Sequence, residues 1–197
     1  MVKEKSRAKK KQSSVLREWV ESIVIAFVLA MFIRTFIVQA FKIPSGSMRP
    51  TLIEGDRILV NKFVYGAKIP FTNWRLPGFK NPQRGDVVVF IYPKDPSRDF
   101  IKRLVALERE IIEIKNGSVY INGKVLDDPG FARYYCNRST YGAENKRALV
   151  PSDSFYVLGD NSASSQDSRY WGFVPEENLL GKAFLIYWPP KRIRIIK

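Results

Sequence analysis

The stretch IIEIKNGSVYINGKVLD, residues 111–127, contains two Asn-Gly pairs, each set between short runs rich in β-branched and aromatic residues. The pairs are Asn116-Gly117 and Asn122-Gly123. Asn-Gly is the dipeptide preferred by type I′ hairpin turns, because both central residues of that turn need a positive φ. The sequence therefore predicts an antiparallel β meander over residues 111–126.

Runs of β-branched and aromatic residues continue this strand pattern through the chain beyond residue 41. Such runs, bounded by Gly, Pro, Asn or Asp, are typical of β-strands. The longer ones read RILVNKFVY, GDVVVFIYP, FIKRLVAL, FYVLGD and KAFLIYWP. Between Asp127 and Val150 the sequence is polar and irregular, which suits a loop or a small lobe over the main sheet. We therefore expect a mainly β protein.

Composition limits the classes of partner. The 197 residues are 45% hydrophobic, enough to fill the core of one domain with a smaller lobe. The formal net charge is +14, but seven of the 33 Lys and Arg lie in the first 17 residues. Residues 1–18 therefore form a basic leader beside an apolar segment, and we expect no nucleic-acid partner. Cys136 is the only cysteine and histidine is absent, so we expect no internal disulfide, metal or cofactor.

The apolar segment WVESIVIAFVLAMFIRTFIVQAF, Trp19 to Phe41, is long enough to cross a membrane. As a helix it would extend ~34 Å, against a hydrocarbon thickness of ~30 Å. Its uninterrupted apolar core, Ile23 to Ile33, is short, so a buried helix of a soluble protein and a cleavable signal sequence are both alternatives. The segment is apolar on all faces, and no polar exit region follows a small-x-small triplet. These features favour an uncleaved membrane anchor.

The basic leader predicts how that anchor is oriented. Positive residues flanking an apolar span remain on the cytoplasmic side. We therefore expect a cytoplasmic N-terminus, with everything after residue 41 outside the cytoplasm.

Directly after the anchor, the stretch KIPSGSMRPTL contains Ser45 and Ser47. Small polar residues before a proline most often build a turn, so the triplet Ser45-Gly46-Ser47 on its own predicts only a turn. With no histidine in the chain, a nucleophilic serine would need another base, and a lysine amine is a known substitute. Such a lysine must be neutral, which requires its pKa to fall by ~3 units from ~10.4. Burial in apolar surroundings supplies such a shift.

Lys102 is the candidate, because Phe100 and Ile101 precede it and Leu104 and Val105 follow it in the predicted strand FIKRLVAL, whereas most other lysines have polar or turn neighbours. The alternative is a lysine at a strand edge that faces solvent, and composition alone favours that alternative because lysines are rarely buried. In a regular strand Arg103 points to the opposite face, which leaves Lys102 free to face inward.

A third polar cluster, GDNSASSQDSRYWGFVP, covers residues 159–175. As an ordered turn it would have Asp167 paired with Arg169 and aspartates capping backbone amides. Asp160 and Asp167 also suggest a paired-carboxylate glycosidase. We set that interpretation aside, because nothing in the sequence raises the pKa of one carboxyl group and no sugar-binding platform is apparent.

Taken together, these segments resemble the bacterial type I signal peptidases, membrane-anchored serine proteases that remove signal peptides from exported proteins. IPSGSMRPTL resembles the family's nucleophile box, RGDVVVF a strand box and FIKR the box of its general base. The resemblance implies that Ser47 is the nucleophile, that Lys102 is the general base, and that the Ser45 hydroxyl joins the Ser47 N–H in an oxyanion hole.

The cluster at 159–175 resembles the family's last box. The resemblance implies that Ser165 hydrogen-bonds and orients the Lys102 amine, with Asp160, Asp167 and Arg169 supporting the site. The chain departs from the family pattern in two places. LVALERE follows the base box where a Gly and a Pro-Gly-Asp turn are usual, and Ser162 and Ser164 replace the usual Arg and Asn.

The same resemblance implies a two-lobed fold of coiled antiparallel β-sheets behind a transmembrane helix. The expected division is a leader (1–18), an anchor (19–41), a catalytic β domain (42–106 and 150–197) and a variable smaller lobe (107–149). A substrate would bind as an added strand, in pockets that admit small side chains. The expected lining residues are Ile43, Pro44, Met48 and Ile101.

The expected partners are therefore signal-peptide-bearing precursors and the lipid bilayer, for a monomeric enzyme of the bacterial cytoplasmic membrane. Two other functions remain open at this point. One is a self-cleaving Ser-Lys peptidase of the repressor type, which the apolar anchor disfavours. The other is a membrane-tethered basic binding protein in which Ser47 and Lys102 are merely structural.

Overall fold

The computed structural model describes residues 2–69, 72, 74–127, 129–131 and 134–196. The first helix, α1, spans Val2–Phe32 and continues into a π-helical turn at Ile33–Ile37. The part from Val15 to Ile37 is long and apolar enough to cross a membrane, and its side chains are not buried against the rest of the described chain.

The predicted end of the anchor at Phe41 differs from the structure. The helical conformation ends at Ile37, and Val38–Lys42 forms the first strand. This strand pairs antiparallel with a later one, from Val38 opposite Asn61 to Lys42 opposite Arg57. Backbone groups that a longer helix would have satisfied internally are thus satisfied by the sheet.

Twelve strands lie within the described residues. In chain order they are β1 Val38–Lys42, β2 Arg57–Asn61, β3 Val87–Ile91, β4 Asp99–Ala106, β5 Ile111–Lys115, β6 Ser118–Ile121, β7 Lys124–Val125, β8 Arg147–Leu149, β9 Ser154–Leu158, β10 Val174–Pro175, β11 Leu179–Trp188 and β12 Arg194–Ile195. The larger antiparallel sheet has the order β1-β2-β11-β3-β4-β9-β10, and β12 pairs with β11. The prediction of a mainly β fold is confirmed.

The second sheet contains the predicted hairpins. Its order is β7-β6-β5-β8, again antiparallel. The first turn has positive φ at both Asn116 (50°) and Gly117 (76°), and the second repeats this at Asn122 (51°) and Gly123 (80°). Both hairpins are therefore confirmed, with the backbone signs of the predicted turn type. The sheet falls within 107–149, although the division into domains stays a prediction.

From Lys102 to Ala106 strand β4 is buried on both faces, and it connects the two cores. Val105 and Ala106 pack into an apolar cluster with the strands of the smaller sheet. Leu104 packs on the other side, with Phe90 and Val157. A polar side chain on such a strand is surrounded by packed protein.

Several elements were not predicted. They are the short strands β1, β8, β10 and β12 and a one-turn helix, α2, at Ser168–Trp171. The predicted strand RILVNKFVY ends early at Asn61, whose side chain accepts a hydrogen bond from Val64 N and starts a 3-10 turn.

Replacing Ile58 on β2 tests the main core. Ile58 has no exposed surface and packs with Met48 and Leu52. We expect Ile58→Ala to lower the free energy of unfolding by about 2–5 kcal/mol, because it removes buried methyl groups and leaves a cavity. Urea unfolding of the full chain in detergent measures this change.

The matched control is Ile195→Ala on β12, where the side chain is 71% exposed. It should change the free energy of unfolding by less than about 0.5 kcal/mol. Equal losses in the two variants would contradict the assigned core.

Candidate active site

Ser47 lies in a 3-10 turn, Gly46–Met48, between β1 and β2. The turn is held from inside by the side chains of Met48 and Leu52, which have no exposed surface. From the other side, Asn161 donates from its backbone N to Ser47 O (2.9 Å) and from Nδ2 to Gly46 O (3.0 Å). The serine therefore belongs to a packed segment with its backbone tied to the loop after β9.

Lys102 faces inward from β4 and meets this serine. Its Nζ donates to Ser47 Oγ at 2.7 Å and to Ile101 O at 3.0 Å. The side chain is almost wholly buried, since Lys102 is 4% exposed and Ser47 is 8% exposed. The predicted inward orientation is confirmed, and the alternative of a solvent-facing edge lysine is wrong.

Burial lowers the pKa of Lys102 to about 8, against the opposing effects of Asp167 and then Asp160, which raise it. At pH 7 a pKa of this size leaves about a tenth of the amines neutral, against about one in 2,500 for an ordinary lysine. The 2.7 Å contact works in both protonation states. The ammonium donates to Ser47 Oγ, whereas the neutral amine can accept the serine proton.

Aromatic rings form part of the wall beside the amine. Lys102 Nζ lies 5.4 Å from the centre of the Phe100 ring. Phe100 in turn stacks on Tyr92, with ring centres 4.4 Å apart and an angle of 4° between the planes. Stacking holds the Phe100 ring in place against a group that must be kept away from water.

The two aspartates near Lys102 are each neutralised by an arginine. Arg103 donates from Nε and Nη2 to the two carboxylate oxygens of Asp160, both at 2.8 Å, and the pair is almost fully buried. Thr51 also donates to Asp160, which links the carboxylate to the segment after Ser47.

Asp167 and Arg169 form the second bidentate pair, again at 2.8 Å for both contacts and with no exposed side-chain surface. The predicted pairing of these residues is confirmed. Asp167 also accepts from Gly159 N, at 3.0 Å. Its carboxylate therefore fixes both ends of the loop 159–167.

A cleft of ≈ 620 Å³ opens over the Ser47–Lys102 pair. Its walls are the segment before Ser47 and the first half of β4, closed by the loop after β9. The lining residues are Pro44, Ser45, Gly46, Ser47, Arg98, Asp99, Phe100, Ile101, Lys102, Ser164 and Gln166.

Four predicted pocket residues divide into two groups. Pro44 and Ile101 line the cleft, and so does Ser45, which is exposed. The role of Ser45 in an oxyanion hole stays a prediction. Ile43 and Met48 are not among the lining residues: they are 3% and 0% exposed and pack in the core cluster with Leu52 and Ile58. Their contact with a substrate stays a prediction. The alternation along the extended segment turns Ile43 inward, and the 3-10 turn does the same for Met48.

No group of three or more His, Cys, Asp or Glu within the described residues could hold a metal ion. What the residues bring together is a buried serine hydroxyl, a lysine of lowered pKa and two neutralised carboxylates. This set is suited to nucleophilic attack with an amine as base.

The family is clear from a comparison with known proteins. The model of "Signal peptidase, peptidase S26" matches residues 16–188. The chain belongs to the signal peptidase family S26. With the apolar helix at its N-terminus, this signal peptidase is a membrane-anchored protein.

Three similar proteins carry the same family name. "Probable signal peptidase I-2" of Synechocystis sp. is 40% identical, with 96% of this chain and 82% of that protein covered. "Signal peptidase I" of Pseudomonas aeruginosa is 35% identical, with 91% and 75% covered. Among solved structures, signal peptidase I from Enterococcus faecalis V583 matches with a TM-score of 0.43 and 32% identity, over 53% of this chain and 98% of that one.

The structure of this signal peptidase accounts for one departure from the family pattern, Ser162. Its Oγ accepts from Cys136 N (2.8 Å) and from Arg169 Nη1 (2.7 Å). Arg169 Nη1 donates also to Cys136 O, at 2.7 Å. Ser162 and Arg169 therefore bind the loop of the site to the segment between β7 and β8 of the smaller sheet.

The LVALERE departure is also accommodated. Strand β4 simply continues to Ala106, and the turn after it is closed by Glu110, which accepts from Leu107 N at 2.8 Å. Glu110 pairs with Arg84 as well. A carboxylate side chain thus closes this turn.

The expected hydrogen bond from Ser165 to the Lys102 amine is not made. Ser165 Oγ is buried and has no hydrogen-bond partner among the described residues. The Lys102 amine instead bonds Ser47 and Ile101 O. Ser165 packs against Gly159, where an added Cβ would come within 2.1 Å of its hydroxyl and 2.6 Å of Ser47 O.

Sequence reasoning missed three residues that hold the site: Thr51, Arg103 and Asn161. Arg103 was expected only to point away from Lys102, and its partner Asp160 is 57 residues away in sequence. Asn161 could have been found from its place in the GDN triplet of the last box, and Thr51 from its place in the nucleophile box.

Replacing Arg103 tests how much this signal peptidase depends on the buried pair. We expect Arg103→Ala to lower the free energy of unfolding by about 3–5 kcal/mol, because it leaves the Asp160 carboxylate buried without its cation. Chemical denaturation of the full chain in detergent measures this loss.

Arg147→Ala is the matched control. Arg147 is 72% exposed in its pair with Glu113, and such a surface pair contributes less than about 1 kcal/mol. A loss for Arg103→Ala as small as that of Arg147→Ala would show that the buried pair is dispensable.

Proposed function

We propose that Ser47 and Lys102 are the catalytic dyad with which this enzyme removes signal peptides from exported precursor proteins. The observation that carries the proposal is the 2.7 Å contact between the Ser47 hydroxyl and a buried amine whose pKa is lowered to about 8. Burial of this kind disfavours the ammonium, and an amine that must accept a proton near neutral pH needs such a shift.

In the first step, neutral Lys102 takes the Ser47 proton while Oγ attacks the carbonyl carbon of the scissile peptide bond. The carbonyl electrons move to its oxygen, and the Ser47 N–H with the Ser45 hydroxyl stabilises the resulting oxyanion. The Lys102 ammonium then gives its proton to the leaving amine as the C–N bond breaks. An ester between Ser47 and the signal peptide remains.

In the second half of the reaction, a water molecule takes the place of the leaving amine. Lys102 is neutral again and takes a proton from this water as it attacks the ester carbonyl. Collapse of the intermediate breaks the ester, and the Ser47 oxygen recovers its proton from the ammonium. The enzyme returns to its initial state with no cofactor consumed.

The substrate backbone is proposed to lie as an extended strand in the cleft between the segment carrying Pro44 and strand β4. Adding a strand satisfies backbone groups of both partners and leaves alternate side chains to be selected by shallow pockets. Pro44 and Ile101 then restrict the side chains next to the cut. This arrangement accounts for a small-x-small requirement.

The proposed setting is the bacterial cytoplasmic membrane. The basic leader, residues 1–18, favours a cytoplasmic N-terminus, with the sheets and the cleft on the other side. Asp160, Asp167 and Arg169 act as site-supporting residues and the enzyme is taken to be a monomer. Tethering the site near the bilayer concentrates it where precursors are held by their own apolar segments.

Variants of the two dyad residues test the function. Ser47→Ala and Lys102→Met should each lower kcat/KM for a precursor by about 10⁴-fold or more, as loss of a catalytic nucleophile or base does in other serine proteases. Cleavage by purified protein in detergent is followed by gel shift and mass of the products. Circular dichroism checks that both variants fold.

The matched controls are Lys115→Met and Ser152→Ala, which change exposed residues away from the cleft. Both controls should cut at the rate of the unchanged enzyme. Folded dyad variants that kept full activity would favour a tethered binding protein and overturn the dyad.

The pH dependence follows from the lowered pKa of Lys102. Only the neutral amine can accept the serine proton, so activity is lost as the pH falls below the pKa. We expect kcat/KM to rise about tenfold per pH unit below pH 7 and to level off above the pKa of about 8. A rate that continued to rise to pH 10, as for an ordinary lysine, would contradict the assignment.

A further inference from the structure

An apolar groove lies where α1 meets the loop after β2. It has a volume of ≈ 290 Å³, and every residue that lines it is apolar: Phe32, Phe36, Ile37, Phe63, Ile69 and Leu76. One wall is thus the last part of the anchor segment and the other belongs to the extracytoplasmic domain. Nothing in the dyad chemistry uses these residues.

The chain connects the groove directly to one wall of the cleft. Ile37 is followed directly by β1, and the chain then passes into the cleft at Pro44. On the neighbouring strand, Asn61 pairs with Val38, and Phe63 follows two residues later. The groove therefore sits at the end of the β1–β2 ladder opposite to Ser47.

The other cleft wall starts at the same end. Asp99 lines the cleft and begins β4, and its carboxylate interacts electrostatically with Lys62, the residue just before Phe63. The same lysine donates to Gln39 on β1 at 3.3 Å. Lys62, next to the groove, is thus close to the start of both walls of the cleft. From there one wall follows residues 39–47 to Ser47, and the other follows residues 99–102 to Lys102.

This geometry orients an extended substrate. The residues on the N-terminal side of the cut must leave toward the anchor end of the cleft, since a signal peptide's apolar stretch precedes its cleavage site and lies in the bilayer. Pro44 is seven residues beyond Ile37. At ~3.3 Å per residue an extended substrate needs about seven residues to reach from the cut to the groove.

We propose that this groove binds the C-terminal end of the apolar segment of the signal peptide while its cleavage site occupies the cleft. The inference rests on the proposed function and extends its substrate site beyond the cleft. The occupant is argued from continuity, because a peptide leaving the cleft at Lys62 and Asp99 reaches the groove next. Those charged residues mark the boundary at which its polar residues give way to apolar ones.

The test compares two substrates of the full-length enzyme in liposomes. One is a complete precursor, and the other is a short peptide that spans the same cleavage site without the apolar segment. Leu76→Gln makes one groove wall polar, and Leu76→Trp fills the groove. For both variants, kcat/KM for the precursor should fall about tenfold relative to kcat/KM for the peptide, the size expected for one lost apolar contact.

Leu149→Gln is the matched control, since this leucine is 62% exposed on β8 of the smaller sheet. It should leave the ratio of the two substrates unchanged. A ratio that also stays unchanged in both Leu76 variants would overturn the inference, whether both rates stay the same or fall by the same factor. Equal falls would indicate that a lipid acyl chain fills the groove.

A crosslink provides an independent readout. In a chain carrying Ser47→Ala and Cys136→Ser, Leu76→Cys should form a disulfide with a cysteine placed at the end of the precursor's apolar segment. A cysteine placed well inside the mature part should not react. Equal crosslinking of the two positions, or none, would count against the groove. If unchanged enzyme cuts neither substrate, the proposed function itself fails, which separates the two failures.

Discussion

The contact between a buried amine and the Ser47 hydroxyl is the constraint around which the rest of the site is arranged. Lowering the pKa of Lys102 from 10.5 to about 8 means that its surroundings disfavour the ammonium by about 3 kcal/mol. Two carboxylates close to it act in the opposite direction. Each is held in a bidentate contact by an arginine, so much of its negative charge is neutralised before it can stabilise the ammonium. The Arg103–Asp160 and Arg169–Asp167 pairs are therefore part of what keeps the pKa of Lys102 low.

Burial of a lysine can be tolerated only if the protein around it is rigid, and both sheets contribute to that rigidity. Strand β4 places Leu104 in one core and Val105 in the other, so the strand that carries Lys102 cannot shift without disturbing both. The 3-10 turn that contains Ser47 is held in place by Met48 and Leu52, whose side chains are fully buried. The smaller sheet thus has a mechanical role in the site although it supplies none of the reacting groups.

Features of the fold and the site that depend on residues close together in sequence could be predicted, whereas those that depend on residues far apart in sequence could not. The hairpin turns follow from Asn-Gly pairs, which act locally, and Lys102 stood out through its immediate apolar neighbours. Strand β1 was missed because the stretch VQAF, residues 38–41, also suits the end of a helix. Its extended conformation depends on pairing with β2, in which Val38 lies opposite Asn61. The Arg103–Asp160 pair is equally non-local. The Met48 side chain points inward because residues 46–48 form a 3-10 turn. The identities of the neighbouring residues do not specify that backbone conformation.

The end of the helix at Ile37 changes how the site is held above the membrane. Had the anchor continued to Phe41, the serine would follow it on a short free linker. Instead β1 is paired along its whole length with β2 and leads into the turn of Ser47, so the height of the nucleophile is set by a hydrogen-bonded ladder. The register of β1 against β2 therefore fixes how far the turn of Ser47 lies from the end of the apolar helix.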